Sequence, residues 1–260
     1  MGEPHNERGL KAAAGGEDLY PQRSCNLPVW RPITDLGRAR GVGVNLKTFG
    51  FSAFLKLLSM NDKPRRSELR RRFRPAESSS GYDYHNSFRV RARRYLLDGE
   101  PMPDVLASTS TITRLSERLS AVAALQRLEK WRAAMPGTIF GFEPVVFESP
   151  AKLFRVKFEP DFGLRVHGQN TAFHLWNTQT PNLAPGRTYA ALALVADAYQ
   201  GHEDAPDDVA VLSVREPPTA FLLSSVMVPS ALVASIVDDL EDIIEDTLTP
   251  PPPPDDRPIT

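Results

Sequence analysis

The densest chemistry in this chain is a run of cations: Lys63, Arg65, Arg66, Arg70, Arg71, Arg72, Arg74, Arg89, Arg91, Arg93 and Arg94. Only Glu68, Glu77 and Asp83 oppose them, so Lys63 to Arg94 carries +8 (11 − 3), and the rest of a chain of net charge −1 carries −9. Clustered guanidinium groups suit bidentate phosphate contact, and Tyr82, Tyr84, His85 and Phe88 lie close enough in sequence to stack bases. The same run also reads as a solvated helix face, or as a surface that pairs with the acidic run Asp238, Asp239, Glu241, Asp242, Glu245 and Asp246. Geometry separates these readings. Cations serving a phosphate site should flank the chain's candidate acid, Asp161, whereas cations serving internal pairing should oppose the acidic helix.

Asp161 follows Pro160 at a predicted junction between two strands, and Asn177 and Gln179, two apart near the end of a predicted strand, share a face by alternation. Pro-Asp is also a common turn dipeptide, and the stretch Asn177-Thr178-Gln179 also reads as a strand leaving its sheet. His167 and His174 fall on neighbouring predicted strands, but two histidines without a third ligand rarely define a zinc site, so surface or hydrogen-bonded histidines are expected. Gly41-Val42-Gly43 lacks the preceding strand and third glycine of a dinucleotide loop, and neither a Gly-x-Ser-x-Gly elbow nor a phosphate-binding P-loop occurs. Cys25 stands alone in a segment without periodicity.

The elements that must position these residues are legible from periodicity. Residues 1–27 mix Gly, Glu, Asn and Arg without pattern, and the proline-rich end 249–260 cannot continue a helix; both are expected to be disordered. Between them the sequence divides into a basic helical region, 28–112, and an α/β unit, 113–248. In the first, Leu46 to Met60 predicts an amphipathic helix with Phe49, Phe54, Leu55, Leu57 and Leu58 on its apolar side, and Tyr84 to Leu97 predicts a second. In the other, Thr113 is placed to cap a helix bearing Leu115, Leu119, Val122, Leu125, Leu128 and Trp131. Three strands are then expected as an antiparallel meander: Leu153 to Phe158, Phe162 to His167, and Thr171 to Thr178, with Gly168-Gln169-Asn170 as a turn. An alanine-rich helix from Arg187 to Tyr199 follows, then strands Val209 to Val214 and Thr219 to Val228. Pro229 opens a last helix whose Val233, Ile236, Val237, Leu240, Ile243, Ile244 and Leu248 recur at core spacing.

Helix, three strands, helix, strand is an order that resembles the common core of the PD-(D/E)XK nuclease superfamily, over roughly residues 113–215, with Pro160-Asp161 and Asn177-Thr178-Gln179 at the matching places. The resemblance implies an α/β fold of restriction-endonuclease type, a mixed sheet flanked by helices and preceded by the basic helical region. It also implies Mg²⁺ held by Asp161 and a second carboxylate, beside a water-activating lysine. Here Asn177 stands where that carboxylate would be and Gln179 where the lysine would be. A neutral amide weakens a magnesium site and a glutamine carries no charge, so the expectation is nucleic-acid association without metal-dependent cleavage. Glu117, Glu148 and Glu159 are the carboxylates left to restore the site. The alternative is a regulatory or assembly protein that meets a protein partner through the basic segment and the acidic helix 230–248.

Composition sets the outer bounds. A chain of 260 residues with 41% hydrophobic residues buries a sizeable core without disulfides, and a lone cysteine suits a reducing compartment. The longest apolar run, Ala190 to Ala196, is far short of a membrane span of about 20 residues, and the polar N-terminus does not read as a signal peptide. A cytoplasmic protein without membrane contact is expected.

Overall fold

The computed structural model describes residues 46–73 and 84–249. Arg74, Tyr82, Cys25, Gly41 to Gly43 and both expected disordered ends lie outside them, apart from Thr249. The fold is α/β, with helices packed on both faces of a mixed sheet.

The chain enters as a strand, β1 (Lys47–Gly50), and not as the helix expected from Leu46 onward. The helix α1 (Phe51–Ser59) begins only after Gly50, whose extended backbone serves as its N-cap. The apolar side was nevertheless legible, since Phe49, Phe54, Leu55, Leu57 and Leu58 are all buried. The basic helix α2 (Asp62–Phe73) follows, then α3 (Asn86–Leu96) and the short α4 (Met102–Ala107).

The long helix α5 (Leu115–Ala134) is capped by Arg114, not Thr113, and no side chain closes its N-terminus. Its buried face is Ala121, Ala124, Leu125 and Leu128, together with Glu117, while Leu115 and Leu119 are 58% and 60% exposed. The strands β2 (Thr138–Phe140), β3 (Val145–Glu148), β4 (Phe154–Phe158), β5 (Phe162–Val166) and β6 (Gln169–Trp176) come next, followed by α6 (Pro185–Ala198). The chain closes with β7 (Asp208–Ser213), β8 (Thr219–Leu222) and α7 (Ser230–Leu248).

The expected meander is corrected at its first strand. β4 has the predicted alternation, with Phe154, Val156 and Phe158 buried, but it lies between β1 (parallel) and β3 (antiparallel) in a separate three-stranded sheet. The place beside β5 belongs to β2, whose three residues are too few to show a period. The larger sheet runs β2-β5-β6-β7-β8, and in the chain β3 and β4 of the small sheet come between β2 and β5. β5 and β6 join through His167-Gly168, both at positive φ (50° and 83°), the two-residue turn whose twist matches a hairpin. The tight turn is therefore His167-Gly168, and Gln169 and Asn170 already belong to β6. Between the parallel strands β6 and β7 the crossover is α6.

Two cores lie on either side of this sheet. Ala172, Trp176, Val209 and Val211 face α1, α6, α7 and the small sheet, while Phe162, Leu164, Phe173, Leu175, Ala210 and Leu212 face α3, α4 and α5. Burial on both faces is why Val209 to Leu212 reads as an unbroken apolar run. The boundary drawn at 112/113 falls within shared structure: β1 pairs with β4, and Phe49 to Leu69 belong to the same core as the apolar stripe of α7. Among the described residues no helix is long and apolar enough to cross a membrane.

Candidate functional site

Asp161 sits just ahead of β5, where its own N–H donates to the Phe173 carbonyl, and its side chain is completely buried. Both carboxylate oxygens are engaged. Oδ1 accepts from Arg89 Nε of α3 at 2.8 Å, and Oδ2 accepts from the Leu175 N–H of β6 at 2.7 Å. His174 Nδ1 is 3.2 Å from Oδ2, a close approach without the geometry of a well-formed hydrogen bond. On the other side of the ring, His174 Nε2 lies 2.7 Å from Ser52 Oγ. Four side chains from α3, the β5 edge, β6 and α1 therefore form one continuous polar chain, Arg89, Asp161, His174 and Ser52.

Its electrostatics follow from burial. Burial pushes the Asp161 carboxyl up, but the His174 ring, the Arg89 guanidinium and the Leu175 N–H outweigh it and hold the group below the usual carboxylate range. Burial drives His174 down from its ordinary value, Arg89 adds to that, and Asp161 only partly opposes it. The imidazole is thus neutral at neutral pH. Its surroundings are aromatic, with the Phe51 ring edge-on at 5.2 Å and Phe158 at 6.3 Å. Ser52 is the only partly exposed member besides Arg89.

The three residues expected to converge do not. Asp161 turns toward His174 and the α1 side of the sheet, whereas Asn177 points to the α5 side and donates from Nδ2 to Ser120 Oγ at 3.2 Å. Strand alternation explains the split: along β6, Phe173 and Leu175 face the α5 core, and Asn177 continues that parity just past the strand's end. Gln179 is exposed and engages Arg215 only through its backbone carbonyl. Of the carboxylates that were to restore a metal site, Glu159 is paired with Lys157 and Arg93, Glu148 is paired with Arg155, and Glu117 is buried on α5. Among the described residues no group of three or more His, Cys, Asp or Glu side chains is placed to hold a metal ion. His167 occupies the hairpin turn and is not part of the polar chain.

The cations divide between both geometric expectations. Arg89 of α3 does flank Asp161, but as its ion partner. Arg91 is buried and donates to Ser87 O, Ser108 O and Thr111 Oγ1, so it fastens α3 to the segment after α4. Arg93 meets Glu159 at 3.4 Å, and Arg94 makes a two-pronged pair with Glu100. α2 packs along the acidic helix α7, where Arg66 reaches Asp246 at 3.5 Å. Arg65 is buried against the Met60 carbonyl, Arg71 and Arg72 hold Glu68, and Arg72 also lies over the Phe49 ring. Lys63, Arg66 and Arg70 recur at helical spacing on the exposed side of α2.

Sequence reading missed Ser52 altogether and took His174 as a bystander. No motif marks Ser52, since Gly50-Phe51-Ser52-Ala53-Phe54 lacks the second glycine of a nucleophile elbow. What signal existed was a histidine inside an apolar strand, which must find hydrogen-bond partners when buried.

No family model matches the chain, and no curated protein does. Among solved structures, one described as "Crystal structure of SSO0001" is similar over 75% of this chain and 86% of that one, at 13% identity and a TM-score of 0.29, a likeness too slight to bear on fold or function.

Proposed function

We propose that this chain is a nucleic-acid-associated protein that contacts phosphates through the outer side of α2 and carries out no metal-dependent cleavage. The closure of Asp161 carries the second half of that reading. Its oxygens are committed to Arg89 and Leu175 with no exposed surface left, so a divalent cation would have to displace a guanidinium and a backbone donor inside the core. The first half rests on Lys63, Arg66 and Arg70, which project from one side of a helix whose Arg65 is buried and whose Arg71 and Arg72 are paired with Glu68. Arg66 and Asp246 are both largely exposed, so their pair is worth about 0–1 kcal/mol and yields easily to a phosphate.

A second reading is favoured by the packing of α2 on α7. The described part of α2 carries Lys63, Arg65, Arg66, Arg70, Arg71 and Arg72 against Asp62 and Glu68, a sum of +4 (6 − 2), whereas α7 carries six acidic residues and no base. The cations then neutralise the acidic helix, and the exposed Asp238, Asp239, Asp242 and Glu245 meet a basic protein partner. Fluorescence anisotropy with short single- and double-stranded DNA and RNA at low and high salt separates the two. The first reading expects binding that weakens steeply with salt and with Lys63, Arg66 and Arg70 replaced by alanine. Absence of binding at low salt rejects it.

A further inference from the structure

The polar chain contains an ordered relay that no part of the phosphate-binding reading uses. Ser52 Oγ lies 2.7 Å from His174 Nε2, and Asp161 Oδ2 lies 3.2 Å from the opposite ring nitrogen. Serine, imidazole and carboxylate are brought into line from residues 122 apart in the first contact. We propose that Ser52 is the nucleophile of an acyl-transfer site acting on an ester or thioester of an apolar acyl group, with His174 as its base and Asp161 orienting the imidazole.

The local fold places Ser52 where such a nucleophile works best. It is the second residue of α1, immediately after β1 and the extended Gly50, so a strand-to-helix turn presents it. The first N–H groups of a helix have no intrahelical acceptor, and no side chain caps α1, so its N-terminal turn faces the negative charge that develops on a carbonyl oxygen at Ser52. His174 is neutral at neutral pH and able to take a proton. Arg89 keeps Asp161 ionised from the side away from the ring. Nδ1 lies 3.2 Å from Oδ2 without a well-formed hydrogen bond, a contact that tightens when substrate fills a resting site. Phe51 and Phe158 around the ring favour an apolar acyl chain over a charged one.

In the reaction Ser52 Oγ bonds to the carbonyl carbon as its proton passes to His174 Nε2. The carbon–oxygen or carbon–sulfur bond to the leaving group then breaks, and the leaving group takes that proton. Water next attacks the acyl-serine, gives a proton to Nε2, and the Ser52–acyl bond breaks with return of the proton to Oγ, releasing a carboxylic acid. Atoms and electrons balance without any further reactant.

The test treats the full chain with an alkyl fluorophosphonate and maps the adduct by peptide mass spectrometry. The expected result is a single adduct at Ser52, formed faster than at any other serine, lost in Ser52→Ala and slowed roughly 100-fold in His174→Gln. A hydrogen bond that merely satisfies a buried histidine would not make the serine reactive. Because His174→Gln risks unfolding, the wild type is also labelled in urea, where selective reaction at Ser52 should vanish. No adduct at Ser52 in the folded protein, or one that forms equally fast in urea, overturns the proposal. Neither outcome touches the nucleic-acid reading, whose assay is binding alone.

Discussion

Arg89 Nε donates to Asp161 Oδ1 at 2.8 Å and thereby ties α3, through a carboxylate with no solvent exposure, to the strand pair at the centre of the large sheet. The arginine itself is 24% exposed, so the pair has one wet and one dry partner. Removing the dry partner is the costlier change, because it leaves the buried Leu175 N–H without its acceptor and Arg89 without its counter-ion.

Asp161→Ala should therefore destabilise the protein by about 3–5 kcal/mol, the range for breaking a buried pair, as read from urea denaturation. Millimolar magnesium should leave the melting temperature of the wild type unchanged, since a ligand that binds only the folded state raises it. A magnesium-dependent rise that disappears in Asp161→Asn would show that the carboxylate opens to metal.

Stability should also depend on pH through His174, which faces Asp161 and Arg89 on one side and Ser52 on the other. Its folded value lies below the 6.5 of the unfolded chain, so between the two the unfolded state binds the proton first. The contribution is complete above 6.5 and is lost as pH falls toward the folded value, with a slope of at most about 1.4 kcal/mol per pH unit. Asp161, also lowered, adds a further loss below 3.8. Urea midpoints measured from pH 8 to pH 5 should fall in wild type and stay flatter in His174→Gln; parallel curves would place the titration elsewhere.

The arginine run separates into working parts. Arg72 pairs with Glu68 at 2.8 Å and lies 5.7 Å over the Phe49 ring, whereas Arg70 is exposed. Arg72→Ala should cost about 1 kcal/mol through lost packing and cation–π contact, and Arg70→Ala should stay within about 0.5 kcal/mol. On nucleic acid the order should reverse, with Arg70→Ala the more damaging to low-salt affinity. Equal effects of both on stability would mean that α2 is not seated on Phe49 as described.

How much of this was legible depended on whether the signal was local. The alternation of β4, the alanine-rich α6 and the stripe of α7 repeat within one element, and each sits where its period placed it. The partner of β5 was not legible, because three residues at Thr138–Phe140 carry no period while β4 advertises itself next door in sequence. Asp161 was found but misassigned, since its role is set by Arg89 and His174, which lie 72 and 13 positions away and carry no shared spacing. Ser52 was invisible for the same reason. Asn177 and Asp161 were assigned to one edge on a resemblance, and the parity of β6 sends them to opposite faces.

α5 offers the sharpest test of a corrected face. Periodicity alone marked Leu115, Leu119 and Leu125 as one apolar stripe, but Leu125 has no exposure and belongs to the core beneath the sheet, while Leu119 is 60% exposed. The buried arc holds Ala121 and Ala124 beside Leu125 and Leu128, with α3 packed against the helix, and this leaves Leu115 and Leu119 on the outer side. Leu125→Ala should leave a cavity and cost about 2–5 kcal/mol, whereas Leu119→Ala should change stability by no more than about 0.5 kcal/mol. Substituting Leu119 with lysine extends the contrast, since a charge is tolerated on a solvent-facing position and not in a core. Denaturant titration of the three variants decides the matter. A loss at Leu119 as large as that at Leu125 would return Leu119 to the core and restore the stripe that the sequence pattern suggested.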